Sequence, residues 1–347
     1  MDSELKLKNS KILVTGGAGF IGSNLIEYFL KSNNEVICLD NLSTGHKRNI
    51  VDFFDHPNFQ FVEGDIRDIE CCRRSVRDCE YVFHQAALGS VPRSITDPIT
   101  TNAVNIDGFL NVLTVAQNEQ VKRFIYAASS STYGDSKDIP KVENRIGRPL
   151  SPYAITKVVN EYFAKVYSDL HGMETIGLRY FNVFGKRQDP NGAYSAVIPL
   201  WVKKLIKHES PIINGDGEYS RDFTYIDNVI QANELAAVTS KDTLLERLKK
   251  YDQSIPKDSN VLYEVFNVAF GQRLTLNNLF LQLRNELSKL DPEISKINPI
   301  YGPKRLGDVP HSLAAIEKAN AILNYIPKVD PKEGFARATK WYYEYFK

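Results

Sequence analysis

Nowhere in these 347 residues is there an apolar run near the roughly 18 positions that a bilayer-spanning helix needs. The segment Met1–Ser10 is polar and charged, so no secretory signal peptide is expected. A net charge of +1, with acidic and basic residues interspersed, offers no one-signed field for nucleic acid or an anionic membrane. Cysteine is scarce: Cys38, Cys71, Cys72 and Cys79 form no metal-ligand or redox spacing, and adjacent Cys71 and Cys72 make a poor disulfide. Reduced thiols in a cytoplasmic protein are the expectation. The six histidines are scattered without an H-E-x-x-H pattern, so no metal site is expected. Neither an internal repeat nor a low-complexity tract is visible. What remains, 43% apolar and 24% charged residues, is the balance of a globular protein of one large or two ordinary domains.

The first half alternates short apolar runs with amphipathic stretches. Strands are expected at Lys11–Thr15, Glu35–Asp40, Phe59–Glu63, Tyr81–His84, Phe124–Ala128 and Thr175–Arg179, with helices such as Ile21–Leu30 and Val104–Asn118 between them. That alternation predicts an α/β class, a doubly wound parallel sheet of Rossmann type. The pattern loosens after about residue 182. There Pro190-Asn191-Gly192 reads as a turn, Val197–Ile206 as a helix and Gly215-Asp216-Gly217 as a tight connection. The expected organisation is a cofactor domain over residues 1–182, joined by some later segments, and a smaller C-terminal α/β substrate domain over 183–347. Leu244–Ser259, rich in lysine, reads as a surface helix and an exposed loop without chemistry.

The first strand runs into Gly16, Gly19, Phe20, Ile21 and Gly22, a G-x-x-G-x-x-G turn opening a helix. Such a turn lets the backbone approach a pyrophosphate at a helix N-terminus. About 20 residues on, the second strand ends in Asp40, a carboxylate placed to accept both ribose hydroxyls of NAD and to repel a 2′-phosphate. Asn41, not arginine, follows it, so NAD is expected over NADP. Asp65 and Ile66 follow the third strand, where Asp65 either bonds an adenine amino group or caps a helix. Gln85, Ala86 and Ala87 follow the fourth, with small side chains leaving room for a dinucleotide.

Tyr153 and Lys157, four apart, share one helix face. An ammonium beside a phenol favours the phenolate and lowers its pKa from about 10. With a serine hydroxyl from Ser129-Ser130-Ser131, this set can take a proton from an alcohol while a nicotinamide accepts hydride. A solvated surface pair is the plainer reading of the spacing alone.

TGGAGFIG (15–22), Asp40, HQAA (84–87), the serine run, SPYAITK (151–157) and LRYFNVFG (178–185) occur in the order and spacing of the extended short-chain dehydrogenase/reductases. Over essentially its whole length the chain most resembles the UDP-hexose 4-epimerases. The strings Gly89–Ser94, Ala127–Ser131 and Arg187–Gly192 are similar to the branch acting on UDP-GlcNAc and UDP-GalNAc. The resemblance implies Ser129 as catalytic serine, Tyr153 as base and Lys157 as its partner. It adds Ser43, Thr44, Gly45 and Tyr180 to the NAD site. For the substrate it implies Gly89, Ser90, Ser130, Ser131, Asn182, Ala196, Val197, Trp201, Ile213, Asn214, Arg221, Arg305 and Asp308. Trp201 is expected either over the uracil or in the core, and Arg221 and Arg305 can grip a diphosphate bidentately.

The implied reaction is NAD-dependent epimerisation at C4 through a transient 4-keto sugar that turns over while UDP stays clamped. Related 4,6-dehydratases need an acid and a base beside the serine position, where this chain has Ser130 and Ser131. A non-catalytic NAD-binding scaffold typically loses the tyrosine or lysine, and this chain keeps both. In the family a tyrosine four residues past a G-D pair narrows the pocket of enzymes restricted to plain hexoses. Here the pair is Gly307-Asp308 and the fourth residue on is Ser312, which leaves space for an acetamido group or caps a helix starting near Leu313. UDP-GlcNAc and UDP-GalNAc are therefore the expected substrates, with UDP-glucose and UDP-galactose, or UDP-N-acetylglucuronic acid, as alternatives. Helices Asn102–Asn118 and Tyr153–Leu170 resemble the pair through which relatives form a homodimer, with Phe109 and Phe163 either on that outer face or in the core.

Overall fold

The computed structural model describes residues 6–190, 196–304 and 310–346. Strands β1 (Lys11–Thr15), β2 (Glu35–Asp40), β3 (Phe59–Glu63), β4 (Tyr81–His84), β5 (Arg123–Ser129) and β6 (Thr175–Tyr180) form one parallel sheet with a seventh strand, Tyr263–Val268. The spatial order is Tyr263–Val268, β6, β5, β4, β1, β2, β3, so the chain reverses direction across the sheet between β1 and β4. In such sheets ligands bind beyond the strands' carboxyl ends at that reversal. The seventh strand comes from well past residue 182: Tyr263–Val268 pairs along the whole of β6.

Side chains of successive strand residues alternate between the two faces. Ile12, Val14, Val36, Cys38 and Phe83 pack into one apolar cluster with Leu25, Ile26 and Phe29 of α1 (Phe20–Lys31) and with the Ile226–Val238 helix. Leu13, Ile37, Val82, Phe124 and Tyr126 enter the other, with the helices Ile69–Val76, Phe109–Asn118 and Pro152–His171. The four cysteines are buried and unpaired, as befits the small apolar fillers they are here.

Local signals explain the helix ends. Ser151 Oγ accepts from Ala154 N (3.1 Å) with Pro152 at the first position, and Gly172 closes the helix in left-handed conformation (φ 66°). The helix expected over 104–118 is present, with Ala103–Gly108 wound as a π-helical turn that runs into Phe109–Asn118; two short helices, Val91–Thr96 and Pro98–Asn102, precede it. A Cβ on Gly108 would stand 2.6 Å from Ile66, so this wide turn sits close against the loop after β3.

Beyond β6, helices Val197–Ile206, Leu276–Ser288 and Pro331–Phe346 pack on one another beside three two-stranded pairs. The lysine-rich Lys241–Tyr251 helix is not merely a surface element. It buries Leu244, Leu245 and Leu248, with Arg247 donating to Ile322 O (2.9 Å). Among the described residues no helix is long and apolar enough to cross a membrane.

Candidate active site

A cavity of 340 Å³ opens at the carboxyl ends of β1, β2, β3 and β4. Its walls include Gly16, Gly19, Phe20, Ile21 and Gly22 from the glycine turn; Asp40, Asn41, Ser43, Thr44 and Gly45 after β2; Asp65 and Ile66 after β3; and Gln85, Ala86, Ala87 and Gly89 after β4. The glycine turn needs its glycines. A Cβ on Gly16 would lie 2.7 Å from Ala86 N, and one on Gly22 would lie 2.2 Å from Gly16 O. Gly16 also has φ 66°, a left-handed conformation that glycine adopts without steric cost.

The Asp40 carboxylate is buried and held by two backbone donors, Ala18 N at 2.9 Å and Leu42 N at 2.8 Å. Burial pushes its pKa up and those two bonds pull it back. Asp65 does not cap a helix; Asp68 does, accepting from Glu70 N and Cys71 N. The Asp65 carboxylate takes the fork of Arg67 (3.0 and 2.7 Å) and the Asn41 amide (2.8 Å), and the guanidinium holds its pKa down at about 2.

The Ser129 and Tyr153 side chains meet beyond the carboxyl end of β5. Ser129 Oγ accepts from Ser131 N (3.1 Å) and from Ser131 Oγ (2.9 Å), which turns Ser130–Tyr133 into a short 3₁₀ helix. Burial raises the pKa of Tyr153, and a hydrogen bond from Ser129 lowers it. The Lys157 ammonium is buried and donates to Ala127 O (2.7 Å), lying 5.9 Å from the centre of the Tyr153 ring. Desolvation lowers its pKa to about 8, against a carboxylate, Glu161, that raises it. The expectation that Lys157 lowers the tyrosine's pKa is therefore not met in the protein alone. The ammonium is committed to a carbonyl, and desolvation dominates the phenol.

Two connections join this cluster to the cavity. Tyr180 lies beside Ser129 in the strand register and donates to Gln85 Oε1 (3.2 Å), while Asn233 Nδ2 donates to the Tyr180 oxygen (2.9 Å). Asn105 accepts from Leu88 N (2.8 Å) and donates to Thr156 Oγ1 (3.1 Å), on the same helix as Tyr153 and Lys157. Asn105 and Asn233 were not legible in the sequence, because isolated asparagines carry no spacing signal.

The remaining expected contacts are dispersed. Ser90 caps the helix that follows it, accepting from Arg93 N (3.1 Å). Asn182 is exposed and donates to Asp222 O (3.0 Å). Ala196 precedes the Val197–Ile206 helix as its N-cap, and Asn214 ends a short strand. Trp201 lies in the core, the second of its two expected places, its Nε1 donating to Ile212 O (3.2 Å) and its ring against Phe280. Ile213 is likewise fully buried, so only its backbone can face a ligand. Arg221 Nη1 donates to Ser220 O (2.9 Å) and Pro310 O (3.1 Å). Ser312 caps no helix: the next begins at Glu317, and Ser312 N donates to Ser220 O (3.0 Å) in an extended strap. Arg305, Asp308 and the turn at Asn191-Gly192 lie outside the described residues.

The cavity suits a dinucleotide on its own terms. Backbone approaches it closely at Gly16 and Gly22, a carboxylate ends β2, and Gln85 Nε2 is buried in its wall with no protein acceptor.

The sequence profile of the "NAD dependent epimerase/dehydratase family" matches residues 12–245. A putative UDP-glucose 4-epimerase of Methanocaldococcus jannaschii is 36% identical over 332 residues, covering 95% of this chain and 97% of that protein. A UDP-N-acetylglucosamine 4-epimerase from Methanobrevibacter ruminantium, solved with UDP-N-acetylmuramic acid, superposes with a TM-score of 0.86 at 35% identity, over 98% of this chain and all of that one. The Thermotoga maritima UDP-glucose 4-epimerase, solved with UDP-glucose, gives 0.83 at 34% identity over 97% of this chain and all of that one. The family's cofactor is NAD. The chain belongs to the NAD dependent epimerase/dehydratase family.

Proposed function

We propose that this protein is an NAD-dependent UDP-sugar 4-epimerase that interconverts UDP-GlcNAc and UDP-GalNAc. The observation that carries the reading is the juxtaposition of Ser129, Tyr153 and a buried Lys157 beside the β4 end of an NAD cavity. When bound in this cavity, NAD would supply the hydride acceptor for C4 of the sugar and, once reduced, the hydride donor to the opposite face of the 4-keto ring. Tyr153 removes the O4 proton and afterwards gives it back, and Ser129 bonds O4 and passes the proton across. Ser131 donates to the Ser129 oxygen, which leaves the Ser129 hydrogen to be given to Tyr153, along the line on which a proton would pass. Asn182 and Arg221, with Arg305 and Asp308, would hold the UDP moiety, so that the neutral 4-keto ring can turn while its anchor stays fixed. In this reading the cofactor part is 1–182 with later segments, the sugar-nucleotide part lies mainly in 183–347, and the protein works in the cytoplasm.

The N-acetyl preference rests on Ser312, on a strap fastened to Ser220 and to Lys141 (Lys141 N to Leu313 O, 2.7 Å). A strap so anchored cannot swing away from a larger side chain. Ser312→Tyr should therefore lower turnover of UDP-GlcNAc and UDP-GalNAc about 100-fold while sparing UDP-glucose and UDP-galactose. A panel of UDP-sugars with and without acetamido and 6-carboxylate groups, compared by kcat/KM, makes the test. Equal loss on all of them would refute the pocket argument, and a wild type that prefers plain hexoses or UDP-N-acetylglucuronic acid would refute the assignment.

A homodimer is part of the proposal. Phe109 and Phe163 do not form its face: Phe109 is fully buried against His84, Phe124 and Tyr126, and Phe163 packs on the same cluster. The outer surface instead carries Ile155, Tyr162, Val166 and Leu170 on one helix, and Ile95 and Ile99 beside it. Ile99 and Leu170 are 82% and 72% exposed, apolar side chains that a second copy would cover. Sedimentation velocity should show a dimer that the pair Ile99→Glu and Leu170→Glu converts to monomer; a monomeric wild type would discard it.

A further inference from the structure

Behind Lys157, away from the cavity, lies a group of buried charges for which the proposed reaction has no direct use. Glu161 is one helical turn on from Lys157, on the same face and almost fully buried. It receives a two-pronged grip from Arg179 of β6, Nε to Oε1 at 2.9 Å and Nη2 to Oε2 at 2.7 Å. Arg179 is itself buried; its Nη1 donates to Glu143 O (2.9 Å), and its guanidinium lies 4.9 Å from the centre of the Tyr133 ring. Tyr133 ends the 3₁₀ turn that begins at Ser130, and its hydroxyl donates to Asn267 Oδ1 (2.6 Å). Asn267 Nδ2 in turn donates to Lys141 O and Ala315 O, both at 2.9 Å, beside the strap that carries Ser312.

A buried ion pair is costly to desolvate and by itself adds little stability, so its presence calls for another reason. We propose that the Glu161–Arg179 pair is a positioning device for Lys157, Glu161 supplying the counter-charge that keeps the lysine an ammonium in the interior while Arg179 fixes that carboxylate in place. The inference rests on the catalytic reading above, in which Lys157 is the partner of Tyr153.

The surroundings of Lys157 leave Glu161 as its charged partner. On its own helix it is faced by Tyr153 and Glu161; from β5 by the carbonyl of Ala127; and from β4 by His84, which burial and then Lys157 itself hold neutral, at about 3. Farther out, Tyr126 and Tyr263 feel the charge of Glu161 and stay protonated, chiefly through burial. Although burial works against its charge, Arg179 has its pKa raised by Glu161, so the guanidinium stays charged.

The test reads the lysine directly. Lysine labelled with ¹³C at Cε is followed by NMR across pH, with the Lys157 signal identified by its loss in Lys157→Met. In the double variant Glu161→Gln/Arg179→Met, which removes both charges together, the Lys157 pKa should fall by about one unit or more. In Glu161→Gln alone, which leaves the guanidinium without its partner, it should fall further, and in Glu161→Asp it should stay nearest the wild type. The alkaline limb of kcat should move to lower pH in the same order. A merely structural pair would lower the melting temperature without that ordering. If Glu161→Gln fails to fold, the double variant and Glu161→Asp still rank the effect, and an unchanged lysine pKa in either would overturn the proposal. The titration needs no substrate, so it stands apart from the epimerase reading, which fails separately if Tyr153→Phe remains active.

Discussion

Tyr153→Phe should lower kcat about 10³-fold while NAD content and melting temperature stay near the wild type. The substitution removes one oxygen and keeps the ring, so packing around the half-buried side chain is preserved. In the proposed mechanism what disappears is the acceptor for the O4 proton, and no other described group is placed to replace it at that point. Ser129 has its oxygen occupied by Ser131, and Lys157 has its ammonium on Ala127 O. Because burial raises the Tyr153 pKa in the protein alone, the wild-type rate should climb as pH rises from the acid side. Tyr153→Phe should lose that dependence along with the rate. Steady-state assays with chromatography of the epimers decide the matter. A variant keeping more than about a tenth of the activity would take Tyr153 out of proton transfer.

Gly22→Ala should leave the purified protein nearly free of NAD. The new methyl would lie 2.2 Å from Gly16 O and 2.7 Å from Gly17 Cα, well inside contact distance, and both are backbone atoms that cannot rotate aside. Relief requires the turn to open, and the turn is also fastened by Gly16 N to Leu39 O (2.8 Å) and Gly19 N to Gly16 O (3.1 Å). Overpacking of this kind costs about 1–3 kcal/mol. The larger consequence is geometric, since the same backbone must lie against the pyrophosphate. Absorbance of the released nucleotide after denaturation measures the content, and calorimetry measures the stability. Full NAD content in Gly22→Ala would contradict the placement of the dinucleotide against this turn.

The two variants touch parts of the molecule that were readable from the chain for different reasons. The bounds of β1 through β4 agree residue for residue with the runs read from the chain: β1, β2 and β4, buried on both faces, announce themselves as nearly unbroken hydrophobic stretches, and β3, at the sheet edge, alternates apolar with polar residues. The glycine turn was legible because only glycine tolerates its contacts, and the Tyr153–Lys157 pair because helical periodicity puts four-apart residues on one face. Other expectations yielded to packing. Trp201 and Ile213 went to the core, since sequence marks a residue as apolar without saying which surface it covers. Asp65 lost the capping role to Asp68, three residues on, and Ser312 lies in a strap where a cap was one expectation.

Local spacing in the chain therefore determined the Rossmann sheet, the glycine turn with Asp40, and the tyrosine–lysine face, because each depends on neighbours within a turn or a strand. Tertiary structure alone decided that Tyr263–Val268 completes the sheet, that Asn105 and Tyr180 join the Ser129–Tyr153–Lys157 cluster to the cavity, and that Glu161 finds Arg179. These pairings span from 18 to 95 residues. No periodicity reaches that far, and only the closing of the sheet brings such groups within hydrogen-bonding distance.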